Sequence, residues 1–238
     1  VLEIGPGIGV LTCELAKRAK KVVAIELDKR LLPVLNETLS EFDNVKIINN
    51  DVMKMDLKSL INEEFFCMNV VVCANLPYYI TSPILMKLLE ERLNLSSITV
   101  MVQKEVAQRI CAGAGNRNSG SISLAVNYYA EPEILFFVKS GSFMPAPKVD
   151  SAVLRLNIRK NPVCEVCDEK LLFKIIKISF LQRRKTVVNA LSNNLNLSKK
   201  TLLSVFDELK IEAKSRAENL TLEQFAKLTN FLFERGLM

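Results

Sequence analysis

Short apolar runs alternate with amphipathic stretches of helix length along the first half of the chain. Residues 22–25, 45–48, 70–74 and 98–102 are rich in β-branched side chains and predict buried parallel strands. Between them, residues 12–19, 28–42 and 83–93 carry apolar positions at helical spacing. This β-α-β-α order predicts an α/β fold built on a doubly wound parallel sheet. Residues 104–112 and 122–129 read as two further helices, separated by the turn-rich loop 113–120. Residues 133–138 and 151–158 then read as strands of a hairpin whose loop, 141–148, contains prolines. Such a hairpin would close the sheet with an antiparallel edge strand.

The pattern changes at Asn161-Pro162. Beyond it only helical periodicity remains, over residues 169–180, 185–194, 199–209 and 222–235. Thr221 followed by Gln224 has the form of a capping box for the last of these. The expected organisation is a sheet domain over residues 1–160 and a small all-helical domain over 161–238. The chain opens Val1-Leu2-Glu3-Ile4-Gly5, the end of a buried strand running into a turn, and a further N-terminal segment is expected before it.

Composition narrows the chemistry. At 49% hydrophobic and 24% charged residues, the 238-residue chain is in the ordinary globular range. Its apolar runs are too short to cross a membrane as a helix. Six scattered cysteines suit reduced thiols in the cytoplasm rather than a disulfide framework. There is no histidine, which excludes Ser-His-Asp and Cys-His catalysis and every histidine-ligated metal site. Cys164-x-x-Cys167 lacks a partner pair, so no metal is expected. The net charge of +6 is uneven: residues 168–238 hold 13 basic and 8 acidic side chains, residues 1–167 hold 19 and 18. A basic helical domain beside a near-neutral sheet domain points to a polyanionic partner.

Glu3-Ile4-Gly5-Pro6-Gly7-Ile8-Gly9 falls at a strand-to-helix turn. Glycines there allow close approach of a ligand to the backbone. A dinucleotide loop needs G-x-G-x-x-G; here the third glycine comes one residue early, and the spacing E-x-G-x-G-x-G is that of S-adenosylmethionine (SAM) methyltransferases. Glu26, at the end of the second strand, is placed to accept the ribose hydroxyls of a nucleoside. Asp51, after the third, is placed to accept an adenine amine, with Leu27 and Val52 packing its faces. Both carboxylates would also fit NAD.

The fourth strand ends in Asn75-Leu76-Pro77-Tyr78-Tyr79. An adenine N6 amine is a poor nucleophile because its lone pair is conjugated into the ring. Two acceptors, the Asn75 side-chain oxygen and the Leu76 carbonyl, would let that nitrogen pyramidalise. Pro77 stiffens the turn, and Tyr78 offers a π-face to a base taken out of its stack. Methyl transfer from a sulfonium needs positioning rather than an acid, so the missing histidine is no obstacle. In Phe143-Met144-Pro145-Ala146-Pro147-Lys148-Val149-Asp150-Ser151, spaced prolines hold the loop so that Phe143 can stack on the opposite face of the base. Lys104, Arg109, Lys148, Arg183, Arg184 and Lys185 are the candidates for RNA phosphates, with Lys199 and Lys200 beside them.

Together these residues resemble the KsgA (RsmA) family of small-subunit rRNA adenine N6,N6-dimethyltransferases. Leu2 to Gly9 with Leu11-Thr12 look like its first motif and Asn75 to Tyr79 its catalytic motif. Gln103-Lys104-Glu105-Val106-Ala107 with Arg109, the Phe143–Ser151 loop and Gln182-Arg183-Arg184-Lys185 match three others. The resemblance implies a Rossmann-like SAM-dependent methyltransferase domain followed by a helical RNA-binding domain. It implies transfer of two methyl groups to each of two adjacent adenines near the 3′ end of small-subunit rRNA, on a pre-ribosomal particle; a monomer is expected. The family's N-terminal Q-x-F-L-type motif, which helps close over SAM, is not in this sequence, and weakened SAM binding is expected. The rival readings are large-subunit rRNA methyltransferases of the Erm class, a non-catalytic factor of mitochondrial transcription type, and an NAD dehydrogenase.

Overall fold

The structure, a computed structural model, describes residues 1–144 and 146–237. Among them a seven-stranded sheet runs in the order β3-β2-β1-β4-β5-β7-β6. Its strands are β1 (Leu2–Ile4), β2 (Val22–Glu26), β3 (Val45–Asn49), β4 (Val70–Ala74), β5 (Leu95–Gln103), β6 (Ala130–Val138) and β7 (Ser151–Ile158). The first five pair in parallel, and β7 pairs antiparallel with β5. Every residue of β1 and β2 is buried, so both faces of the sheet centre are covered, as the apolar run Val22–Ile25 requires. The hairpin thus places β7 inside the sheet and leaves β6 at its edge. That position explains why β6 carries Pro132 in its first turn of pleat: an edge strand has N–H groups to spare.

The connecting helices are α1 (Val10–Ala16), α2 (Leu32–Thr38), α3 (Leu57–Glu64), α4 (Tyr78–Glu90), α5 (Lys104–Cys111) and α6 (Ser121–Tyr129). The expected 28–42 helix is divided: a 3₁₀ turn at Lys29–Leu31 precedes α2, with Pro33 in the first turn of the new helix. The expected 83–93 helix begins earlier, at Tyr78, and holds Pro83 inside it. Only the Tyr79 carbonyl loses its helix donor there.

The chain clusters into two compact units, one formed by Val1–Ala107 and Glu131–Ile158, the other by Gln108–Ala130 and Arg159–Met238. The division near residue 160 is therefore joined by a second one, and α6 belongs with the C-terminal helices α7 (Glu169–Leu181), α8 (Val187–Asn194), α9 (Lys199–Glu208) and α10 (Leu222–Glu234). Its last two residues explain this. The Tyr128 and Tyr129 hydroxyls donate to the two carboxylate oxygens of Glu169, each at 3.1 Å. Both rings also pack on Phe173 of α7. The capping box expected at Thr221 and Gln224 is formed. No helix among the described residues is long and apolar enough to cross a membrane.

Candidate active site

The predicted site residues of the sheet unit gather along one edge of the sheet, at the carboxyl ends of its parallel strands. Ile4 pairs with Ile25 on one side and with Ala74 on the other. The turn after β1 and the turn after β4 are therefore neighbours, at the point where strand order reverses and open α/β sheets bind ligands. A Cβ built on Gly5 would lie 3.5 Å from Leu76 Cδ2.

The glycine turn is held by backbone as much as by sequence. The Gly5 N–H donates to the Ile25 carbonyl at 2.9 Å. Gly7 has φ +60° and nothing within 4 Å of where a Cβ would sit. Its N–H donates to Glu26 Oε2 at 3.2 Å, while Glu26 Oε1 accepts the Asp28 N–H at 2.7 Å. Glu26 is buried and its carboxylate clasps the loop, with lone pairs still unused. Asn49, given no role from sequence, donates to the Glu26 carbonyl at 2.7 Å and joins the ends of β2 and β3. An amide closing a strand rich in β-branched residues was its only signal.

Asp51 begins the turn after β3 and accepts the Met53 N–H at 2.9 Å, leaving Oδ2 a distant 3.9 Å from the Lys54 ammonium. Val52 is buried beside it, whereas Leu27 is 67% exposed, an apolar side chain with nothing to cover it. Glu3 lies beneath the loop, 1% exposed. Burial pushes its carboxyl up to about 7, and the Thr12 hydroxyl offsets part of that rise. Glu3 Oε2 and Thr12 Oγ1 have no partner in hydrogen-bonding geometry among the described residues. The Cys73 thiol is raised by burial and then by Glu3.

In the second turn, Asn75 is exposed and its side chain makes no hydrogen bond among the described residues, while Leu76 is buried and anchors the turn. Pro77 stands at the N-cap of α4, its carbonyl accepting the Ile80 N–H and the Thr81 hydroxyl, both at 3.1 Å. Tyr78 is half-buried, and its hydroxyl lies 2.6 Å from that of Ser151. Tyr79 is 84% exposed.

The loop between β6 and β7 is pinned at its root. Asp150 accepts the Ser140 N–H on its carboxylate at 3.1 Å and the Lys104 N–H on its carbonyl at 3.0 Å. Phe143 is half-buried and Met144 fully exposed; Pro145 lies outside the described residues. Lys104 and Lys148 line one concavity of about 350 Å³ with Gln103, Ser140 and Asp150, and the Lys104 ammonium sits 5.2 Å from the centre of the Phe137 ring.

The other basic residues belong to the helical unit. Ser123 donates its hydroxyl to the Arg109 carbonyl at 2.7 Å. Arg183, Arg184 and Lys185 occupy the turn after α7, not the start of a helix: α8 begins at Val187, and Thr186 caps it by accepting the Asn189 N–H at 3.3 Å. These three line a concavity of about 500 Å³, and Arg183 donates to the Arg117 carbonyl at 3.4 Å. Among the described residues no three His, Cys, Asp or Glu side chains are grouped as a metal site.

A ribosomal RNA adenine dimethylase family model matches residues 1–234. Ribosomal RNA small subunit methyltransferase A of Bacillus cytotoxicus is 52% identical over 235 residues, covering 97% of this chain and 80% of the relative. The protein of that name in Bacillus mycoides matches to the same degree. Among solved structures, a dimethyladenosine transferase from Plasmodium falciparum has a TM-score of 0.78 at 28% identity, over 99% of this chain and 90% of its own. The 23S rRNA methyltransferase ErmE has a TM-score of 0.67 at 25% identity, over 96% and 88%. With a glycine loop and an Asn-Leu-Pro-Tyr turn side by side at the switch point, and a family match over nearly its whole length, this chain belongs to the ribosomal RNA adenine dimethylases, SAM-dependent rRNA methyltransferases.

Proposed function

We propose that the chain methylates the N6 amines of two adjacent adenines in the 3′-terminal hairpin of small-subunit (16S) rRNA, twice each, on a pre-ribosomal small subunit in the cytoplasm and as a monomer. The observation that carries this reading is the juxtaposition of Gly5 and Leu76, which sets the glycine turn against the Asn75–Tyr78 turn.

The residues present fit SAM. Open space above Gly7, the unused lone pairs of Glu26, the uncovered Leu27 and the orphaned Glu3 Oε2 offer complementary contacts for its ribose, adenine and ammonium parts. Asp51 and Val52 complete the adenine end. When bound, SAM supplies an electrophilic sulfonium methyl group.

The chain's own contribution is to hold the acceptor. Asn75 Oδ1, unengaged among the described residues, and the Leu76 carbonyl accept the two N–H bonds of the target amine and free its lone pair. Pro77 and the buried Leu76 side chain keep that pair of acceptors fixed. Tyr78 and Phe143 sandwich the flipped base. Lys104 and Lys148 serve the RNA backbone near the site, and Arg109, Arg183, Arg184 and Lys185 serve it from the helical unit.

The test is methyl transfer from labelled SAM to unmethylated small subunits. Dimethyladenosine at adjacent positions is expected, with its loss in Asn75→Ala. Label confined to large-subunit RNA would overturn the substrate assignment.

A further inference from the structure

We propose that Ser151 is a positioning residue for the methylation, acting through the Tyr78 ring; this rests on the reading of Tyr78 as the platform for the target base. The two hydroxyls are 2.6 Å apart, a full-strength O–H···O hydrogen bond, and neither has another partner among the described residues. Ser151 is wholly buried, so its hydroxyl cannot turn to water instead.

The two ends of this bond differ in rigidity. Ser151 is the first residue of β7, and its backbone is registered against Gln103 of β5. Its neighbour Asp150 is tied to both Lys104 and Ser140. Tyr78 opens α4, where Pro77 provides no side-chain cap. β4 and β7 flank β5, so the Tyr78–Ser151 bond joins the turn that follows β4 to the start of β7, two strands away in the sheet. A ring rooted in a helix's first turn and free at its far end can swing; with its para-oxygen fixed to β7, the ring's long axis is held. A base stacked on a ring so held meets the Asn75 and Leu76 acceptors at one inclination, and amine methylation depends on that angle.

The test is a double-mutant cycle in Tyr78→Phe and Ser151→Ala, each assayed for methyl transfer to unmethylated small subunits, with SAM affinity measured separately. Each single variant is expected to lower kcat about tenfold, with KM for the subunit and SAM affinity within about twofold of wild type. The double variant should be no slower than the slower single one, because both substitutions remove the same bond. A purely structural defect would spread into KM and SAM affinity. Multiplied effects in the double variant, or a change confined to KM, overturn the inference. If Ser151→Ala does not fold, Tyr78→Phe alone reads the same bond, and unchanged kcat overturns it. A wild-type chain that makes no N6-methylated adenine overturns the functional reading and this inference together; multiplied effects in an active chain overturn this inference alone.

Discussion

The Tyr78 and Ser151 hydroxyls, 73 residues apart in sequence, share one hydrogen bond, and only the serine end is sealed from solvent. The two ways of breaking it should therefore differ in stability. Tyr78→Phe strands a buried hydroxyl, which costs about 1–3 kcal/mol. Ser151→Ala leaves the hydroxyl on a half-buried tyrosine that can be hydrated, and should cost less. The double variant removes both polar groups and should recover part of the Tyr78→Phe loss. Urea unfolding of the three variants measures this order, and a Ser151→Ala loss exceeding that of Tyr78→Phe would refute it.

Gly7 and Gly9 both have positive φ, yet they should fail differently when replaced by alanine. At Gly9, φ is +91° and the new methyl would meet Leu35 Cδ2 at 3.2 Å and Thr38 Cγ2 at 3.3 Å. Backbone strain and crowding against α2 together should cost about 2–3 kcal/mol. At Gly7 no protein atom lies within 4 Å, so the cost is the backbone alone, about 1–2 kcal/mol. The Gly7 methyl would instead fill the open face where the cofactor is placed. Titration calorimetry should show SAM affinity falling at least about tenfold in Gly7→Ala, more than thermal melting would suggest. Unimpaired SAM binding by Gly7→Ala would remove that face from the site.

The sheet was legible because its parallel strands leave short β-branched runs and its antiparallel strand β7 alternates apolar with polar positions; residues 70–74 and 151–158 match β4 and β7 as observed. α3 was passed over, although Leu57, Leu60 and Ile61 fall at helical spacing behind Asp56, whose carboxylate caps the helix at Ser59. At eight residues it is too short for its period to stand out beside the loops around it. Among candidate site residues, the positions of Asn75 and Glu26 at the ends of parallel strands were visible from motif spacing. Ser151 was quoted without a role: a bond across 73 residues and an intervening strand depends on sheet order, which local periodicity does not encode. α6 was assigned to the sheet domain because its break from the sheet depends on Glu169 and Phe173, far along the chain.

Glu3 predicts a pH dependence. Its folded value, about 7, lies above the 4.5 of an unhindered glutamate. Between those values the folded state keeps a proton that the unfolded state has released, so stability falls as pH rises through this window. Below about 4.5 the contribution is intact; above about 7 it is lost, with an upper bound of roughly 3 kcal/mol. Glu3→Gln has no proton to lose and should flatten this part of the profile. Thermal unfolding at a series of pH values between 4.5 and 7.5 tests it, and parallel profiles for the two proteins would exclude Glu3 as the source.

The basic turn of the helical unit makes a prediction that separates RNA contact from mere solubility. Arg183, Arg184 and Lys185 are exposed, and none has an acidic partner among the described residues. Their one side-chain hydrogen bond among the described residues is the long 3.4 Å contact from Arg183 to the Arg117 carbonyl, so replacing all three by alanine should leave the melting temperature nearly unchanged. If each neutralises one phosphate, each contributes about 0.7–0.9 to the slope of log affinity against log salt. The triple variant should therefore bind small-subunit rRNA with a slope shallower by about 2–3, and its disadvantage should shrink as salt is raised. SAM affinity, set in the sheet unit, should not move. Filter binding across a salt series measures the slope directly. A triple variant that keeps the wild-type slope would show that these charges are ordinary solvated surface and that the RNA is held elsewhere.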